Sequence, residues 1–351
     1  MKRDEGRPEV ELLQVSKRYG AVTAVDRVDL SIARGELVTL LGPSGCGKTT
    51  TLRMIAGLEL ATEGQIRIDG KDVTNLPATH RDVSMVFQSY ALFPHMTVGE
   101  NVAYGLLNSG VARQDALQRA EAGLAQVGLE GYGARLPSAL SGGQQQRVAV
   151  ARALVLQPKV LLFDEPLSNL DARLRRKMRE DIRALQQSLG FTAVYVTHDQ
   201  EEALSVSDRI VLMDKARIAQ QGSPRDLYQR PDTEFVARFI GDANIIEAEV
   251  VEVEGDEARV RLGPLRLTLP RRGVGPGSAK LAVRPHGLEF TQEGLPARIT
   301  SATYLGDHME YGLTSEVGEL FMVASDVESP RTVGDAVSLG VVSHATTLVA
   351  P

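Results

Sequence analysis

The sequence predicts an α/β core, interrupted by a helical insert and followed by a small all-β domain of barrel type. Three observations carry this. Between residues 10 and 241 short apolar runs alternate with helical patterns, and Val160-Leu161-Leu162-Phe163 is apolar throughout, as a strand buried on both faces of a parallel sheet must be. From residue 97 to residue 157 the pattern is helical alone. Beyond Gly241 the texture changes to short alternating stretches (residues 247–253, 258–262, 265–269 and 279–283) punctuated by Gly and Pro. The predicted boundaries are 1–241 for the core, with the insert at about 97–157, and 242–351 for the β domain.

The core is organised around Gly42-Pro43-Ser44-Gly45-Cys46-Gly47-Lys48-Thr49. An apolar strand, residues 37–41, precedes this loop, and a helix beginning near Thr50 and stopped by Gly57 follows it. Strand, glycine-rich loop and helix form the context in which G-x-x-x-x-G-K-[ST] becomes a phosphate site. Phosphate oxygens need several backbone N–H donors at close range, and side chains would block the approach. Gly42, Gly45 and Gly47 keep the wall bare, and the helix turns its positive dipole end to the anion. Lys48 supplies an ammonium for the outer phosphates, and the Thr49 hydroxyl suits Mg²⁺.

Ahead of this loop, residues 10–15 and 22–32 read as strands around a turn, Lys17-Arg18-Tyr19-Gly20. Tyr19 is either a surface tyrosine capping a small sheet or a stacking platform for a planar base. After the loop, residues 64–73 read as two short strands, and residues 82–87 as another ending at Gln88, where strands of such folds face the ligand crevice. Within the insert, residues 115–127 carry Leu117, Leu124 and Val127 at helical spacing. Leu140-Ser141-Gly142-Gly143-Gln144 then opens a helix over residues 145–156. Ser141 is a good N-cap, and two glycines at a helix start form a second anion site.

The strand at residues 160–163 ends in Asp164-Glu165-Pro166. Adjacent carboxylates at the end of a buried strand are costly unless they meet a cation or move a proton. Asp164 is placed to hold the Mg²⁺ of a bound nucleotide, and Glu165 to orient and deprotonate water. Residues 171–189 form an amphipathic helix with Leu174, Met178, Ile182, Leu185 and Leu189 on its apolar stripe, stopped by Gly190. A strand at residues 192–197 ends at His198, the strand-end position that Gln88 and Asp164 also hold.

With 351 residues, two or three domains are expected. A net charge of -6 argues against a clamp for nucleic acid. Cys46 is the sole cysteine, which excludes an intrachain disulfide and fits a reducing compartment. Residues 1–9 are charged without an apolar run behind them, so they read as a tail rather than a secretion signal. No apolar run approaches the ~18 residues of a membrane helix, and no metal-ligand spacing stands out.

Over residues ~10 to 240 these elements together resemble the ATP-binding subunits of ATP-binding cassette (ABC) transporters, a P-loop NTPase family. Residues 42–49, with Thr50 beside them, match Walker A. Leu140 to Gln144 match the signature motif, and residues 160–165 match Walker B with its catalytic glutamate. Gln88 falls on the Q-loop, Ser168 to Asp171 on the D-loop, His198 on the H-loop and Tyr19 on the A-loop. The resemblance implies that Glu165, His198 and Gln88 act in hydrolysis. It also implies that Thr49, Asp164 and Gln88 attend Mg²⁺, while Tyr19, the loop residues, Ser141, Gly142, Gly143, Gln144 and Asp171 meet ATP. Residues ~242 to 351, with Leu281-Ala282-Val283-Arg284-Pro285-His286-Gly287-Leu288, resemble the OB-like TOBE-type domain of binding-protein-dependent importers.

The family implies a head-to-tail homodimer, isologous about a twofold axis, in which the loop of one subunit and the signature of the other enclose each ATP. It also implies a permease in the inner (plasma) membrane, with this chain peripheral on the cytoplasmic face, and an extracytoplasmic solute-binding protein. Residues 201–208 and the tail look most like ferric-iron importers, with polyamine, sulfate, phosphonate and sugar importers as relatives. The rival from another class is a soluble ABC ATPase acting on nucleic acid or ribosomes, which the β tail favours and the acidic balance opposes.

Overall fold

The computed structural model describes residues 7–349, so residues 1–6 of the predicted tail lie outside the described residues. The chain divides into two compact units, residues 1–224 and 225–351.

The first unit holds two sheets. β1 (Val10–Tyr19), β2 (Val22–Ile32), β4 (Glu63–Ile68) and β5 (Lys71–Asp72) form an antiparallel sheet in the order β2-β1-β4-β5. β3 (Leu37–Leu41), β6 (Val83–Val86), β7 (Val160–Asp164), β8 (Thr192–Val196), β9 (Arg209–Asp214) and β10 (Arg217–Gly222) form the main sheet in the order β10-β9-β3-β8-β7-β6. All its neighbours are parallel except the β9–β10 hairpin. The period of two in β7 explains the layering. Val160 and Leu162 face one core with Leu52, Met54 and Ile55 of α1 (Lys48–Ala56) and with Val10 and Leu12 of the antiparallel sheet. Leu161 and Phe163 face a second core, shared with helices of the insert and of the main chain beyond it.

The insert comprises α2 (Val98–Asn108), α3 (Arg113–Gln126) and α4 (Gly142–Leu154). Thr97 and Glu100 form a reciprocal capping box that starts α2. α5 (Ala172–Leu189) buries Met178 and Ile182 in the second core, and Gly190 at φ 66° ends it. Asp171, predicted as its first residue, is its N-cap. α6 (Gln200–Val206) follows β8.

Two predicted strand ends shift. β1 runs on through Lys17, Arg18 and Tyr19 where a turn was expected, because irregular register after Leu12 keeps those residues paired with β2. β6 ends at Val86, so Gln88 lies in the loop beyond the strand.

The second unit begins with α7 (Pro224–Gln229, from Arg225 onward) and α8 (Glu234–Phe239). β11 (Asn244–Glu254), β12 (Glu257–Leu262), β13 (Leu265–Pro270), β14 (Gly277–Val283) and, from the chain end, β20 (Thr346–Val349) make one antiparallel sheet. β15 (Leu288–Thr291), β16 (Leu295–Tyr304), β17 (Met309–Ser315), β18 (Gly318–Ala324) and β19 (Ala336–Val341) make the other. The two enclose one core, with Ile246, Val260 and Leu281 on one side and Ile299, Tyr311 and Leu339 on the other, as in a small OB-like barrel. The predicted boundary at Gly241 and the division after Pro224 differ for a physical reason. Arg284 is buried and donates to the carbonyls of Tyr228, Ala237 and Ile240, and Ala237 packs with Ala243, Ala282 and Val349.

Candidate functional site

The phosphate loop sits between the end of β3 and the start of α1. Gly42 has φ 147°, and a Cβ there would lie 2.3 Å from the Met213 carbonyl oxygen; Gly47 has φ 104° and would meet the Ala24 carbonyl at the same distance. Glycine is therefore required at both, to let the loop lie against β9 and β2. Gly45 opens on free space, and Ser44 is exposed with it. Lys48 is buried, and its Nζ donates to the carbonyls of Gly42 at 2.8 Å and Pro43 at 2.9 Å. An ammonium has three protons: two are fixed by these carbonyls, and the third meets only the Cys46 sulfur at 3.9 Å, a weak acceptor that an anion would outcompete. Cys46 backs the loop, 4% exposed, and burial pushes its thiol up while Lys48 partly offsets this. Thr49 and Thr50 are half-buried.

The Thr49 hydroxyl lies 3.5 Å from Asp164 Oδ1. Burial pushes the Asp164 carboxyl up; Arg53 draws it down and Glu165 raises it again. A half-buried carboxylate facing a threonine hydroxyl, at the edge of an anion cradle, fits a divalent cation: it supplies oxygen donors and unmet negative charge. Glu165 sits in the left-handed region at φ 45°, a strained conformation for a non-glycine residue of the kind that collects at functional sites. Its backbone is held by Val196, its carbonyl accepts from Ser168 Oγ at 3.1 Å, and its Oε2 is 3.2 Å from His198 Nδ1. His198 is 60% exposed, so the pair faces outward.

Gln88 is exposed, and its carbonyl accepts from Asn169 Nδ2 at 3.0 Å. Asp171 Oδ1 accepts from Leu174 N as the cap of α5. Ser141 and Gln144 form a capping box at the start of α4, and Gln144 Nε2 also reaches the Tyr132 hydroxyl at 3.4 Å. Gly142 and Gly143 lie against Leu170 and Leu174, where a Cβ would come within 3.2 Å and 2.8 Å. Tyr19 is 47% exposed under Lys17 Nζ, 4.9 Å from its ring centre, and bonds Glu59 beyond the end of α1.

The structure thus gathers Gly42, Pro43, Lys48, Thr49, Asp164, Glu165 and His198 along one edge of the main sheet. The hydrogen bonds of Ser141 and Gln144 stay within the insert. The roomier cavities of this unit, about 650 Å³ beside Glu9 and Arg34 and about 400 Å³ beside Arg147 and Asp181, are lined by none of these motif residues.

Three arginines that the motifs do not name anchor the main chain of the elements around this site. Arg81 donates to carbonyls at the end of α1, Arg152 to those of Tyr90 at 2.9 Å and Ala91 at 2.7 Å, and Arg175 to that of Leu170 at 3.1 Å. Apart from Asp199, which Arg175 also reaches, these acceptors are main-chain carbonyls, which carry no sequence signal.

Residues 25–168 match the family described as ABC transporter, and residues 281–349 match the TOBE domain. The chain is 59% identical to the Fe(3+) ions import ATP-binding protein FbpC of Rhizobium etli, over 94% of this chain and 95% of that one. It is 61% identical to the corresponding protein of Agrobacterium fabrum, over 88% of each chain, and 52% identical to that of Escherichia coli O157:H7, over 86% of each. A solved ATP-binding cassette, described as the dimeric structure of a post-hydrolysis state bound to ADP and Pi, superposes with a TM-score of 0.54 at 33% identity, covering 62% of this chain and 99% of that one. With relatives this similar along most of its length, the chain belongs to the ABC transporter family, among the ATP-binding proteins that carry a TOBE domain.

Proposed function

We propose that this chain is the ATP-hydrolysing subunit of an importer, that it works as a head-to-tail homodimer on the cytoplasmic face of the membrane, and that the imported solute is ferric iron. The observation that carries the hydrolysis is the Glu165–His198 pair at 3.2 Å, beside the Thr49–Asp164 pair at the mouth of the phosphate loop. The solute reading is supported by relatives named for Fe(3+) import. The dimer reading is supported by the dimeric neighbour and by anion-facing helix starts at both Lys48 and Gly142, too many for one nucleotide in one chain. Among the described residues no helix is long and apolar enough to cross a membrane, so the permease would be a separate chain, reached through the insert and the Gln88 loop.

Lys48 would bind the outer phosphates with its remaining proton while the loop N–H groups cradle them. Mg²⁺, when bound, would neutralise charge on the phosphate oxygens, held by Thr49 Oγ1 and Asp164. Glu165 would orient the attacking water and take its proton. His198, anchored to Glu165 through Nδ1, presents its other ring nitrogen to the departing phosphate. Ser141, Gly142 and Gly143 of the partner would close the site, and ATP would thereby shift the population toward the closed dimer.

Glu165→Gln tests this. The variant should bind ATP, form a stable dimer by size-exclusion chromatography with Mg-ATP, and lose turnover by a factor of about 10²–10³, the scale of removing one transition-state group. Wild-type turnover would remove Glu165 from the role of base. Uptake of labelled ferric iron with the cognate permease and binding protein tests the solute. ATPase activity stimulated by nucleic acid and indifferent to a permease would favour the rival reading.

A further inference from the structure

Arg175 stands in the first turn of α5, directly after the Ser168–Asp171 loop. Its guanidinium faces three places at once. Nη2 donates to the Leu170 carbonyl at 3.1 Å, and Nη1 to Asp199 Oδ2, next in sequence to His198, at 3.2 Å. Nε is buried without a hydrogen-bond partner and lies 3.9 Å from Glu202 Oε1, just beyond bonding range. Glu202 is itself 3% exposed. Its other oxygen accepts from the Tyr195 hydroxyl at 2.9 Å and from Thr197 Oγ1 at 2.8 Å. Thr197 Oγ1 also accepts from Asp199 N, and Asp199 caps α6 through Glu202 N. His198 is therefore flanked on both sides by residues tied to this cluster. A cavity of about 80 Å³ lies at its centre, lined by Glu165, Ser168, Arg175, His198 and Glu202 among others.

A buried guanidinium nitrogen without an acceptor is costly, and a buried carboxylate is costly without a cation. Here the two meet at ion-pair distance without the hydrogen bond, which less than an ångström of travel would complete. A small shift of the first turn of α5 and its leading loop would close the pair, and a shift in the other direction would open it further. We infer that Arg175 is a positioning residue for hydrolysis: it couples the place of the Ser168–Asp171 loop to the orientation of His198 against Glu165. This rests on the ATPase reading of that pair. It acts through His198 and touches no reacting atom.

The test uses the full chain and steady-state ATPase kinetics, with Glu165→Gln as the control. Arg175→Met keeps an apolar stem and removes the fork. It should lower kcat at least tenfold, since misplacing a catalytic group by ~1 Å can cost on the order of 10²-fold. KM for Mg-ATP should stay within about twofold, because the phosphate loop is untouched. Arg175→Lys should fall between Met and wild type, since one ammonium cannot serve the Leu170 carbonyl and Asp199 together. In the Glu165→Gln background Arg175→Met should still dimerise with Mg-ATP, which separates positioning from folding. Unchanged kcat in Arg175→Met, or a loss matched by loss of ATP binding, would overturn the proposal while Glu165→Gln remains inactive. Normal turnover by Glu165→Gln would instead overturn the site reading on which it rests.

Discussion

Arg81 offers the sharpest test of how the phosphate loop is held. It is 6% exposed, and its guanidinium donates to main-chain carbonyls. Nε donates to Leu76 at 2.8 Å, Nη1 to Ile55 at 2.9 Å and also to Met54, and Nη2 to Thr74 at 3.2 Å. Met54 and Ile55 end α1, the helix whose start carries Lys48, so the cation sits at the negative end of the dipole. Burial pushes the guanidinium down, yet arginine stays charged at any working pH. Arg81→Met keeps most of the apolar volume and strands these carbonyls. A charge-assisted bond is worth roughly 1.5–3 kcal/mol, the contributions are not additive, and water will recover some, so a loss of about 3–5 kcal/mol is expected. For a unit of this size each kcal/mol is about 2–4 °C, which gives a fall in melting temperature of roughly 6–20 °C. Differential scanning calorimetry of the full chain would measure it. Mg-ATP at 100 times its Kd should return about 2.7 kcal/mol, roughly half or more of the loss. A fall below about 3 °C would mean that the carbonyls find other donors and that the anchor is not needed.

Two further outcomes follow from burial. Cys46 has little thiolate and little access, so N-ethylmaleimide should label the native chain slowly and the guanidinium-unfolded chain quickly, with ATP slowing the native rate further. Intact-mass spectrometry beside ATPase assays would follow it, and a fully modified chain with full activity would refute its place behind the loop. A chain ending at Pro224 should stay soluble and gain thermal stability from Mg-ATP, whereas one ending at Gly241 carries Ala237, Tyr228 and Ile240 without Arg284 and should aggregate more readily. Greater stability of the longer piece would place these helices with the ATPase unit.

The motif loops were legible because each marks a change of chemistry at the end of an apolar run. Gly42-to-Thr49 interrupts a buried strand with glycine and one cation, and Asp164-Glu165 ends a wholly apolar strand in two charges. The layering could be inferred too, since β7 alternates its faces between two cores. The end of β1 was not legible. Lys17-Arg18-Tyr19-Gly20 has turn composition, and only pairing with Val25, Thr23 and Val22 keeps Lys17 to Tyr19 extended, the turn itself starting at Gly20. Nor was the start of the second unit. α7 and α8 are short helices of ordinary pattern, and nothing local says which core they serve; that is decided by Arg284 and Ala282, far along the chain.

The arginine anchors share a physical cause. A loop that cradles a ligand cannot place all its carbonyls in a sheet or helix, and buried carbonyls need donors. Arginine suits this need: its planar fork serves two carbonyls at once and is less costly to desolvate than an ammonium. So the end of α1 hangs on Arg81, the Gln88–Ala91 stretch on Arg152 of α4, and Leu170 on Arg175 of α5. Asn169 closes the ring by donating to the Gln88 carbonyl. Each link joins an irregular loop to a rigid helix, and α4, which carries Arg152 in its last turn, is also the helix that presents Ser141 and Gly142 at its start. A rigid displacement of α4 therefore pulls the main chain at Tyr90 and Ala91, and through Asn169 reaches the loop before Arg175. The helix that starts at Ser141 and the loop that follows Glu165 are joined by hydrogen bonds to backbone, which substitution of the acceptor residues would leave largely intact and substitution of the arginines would cut.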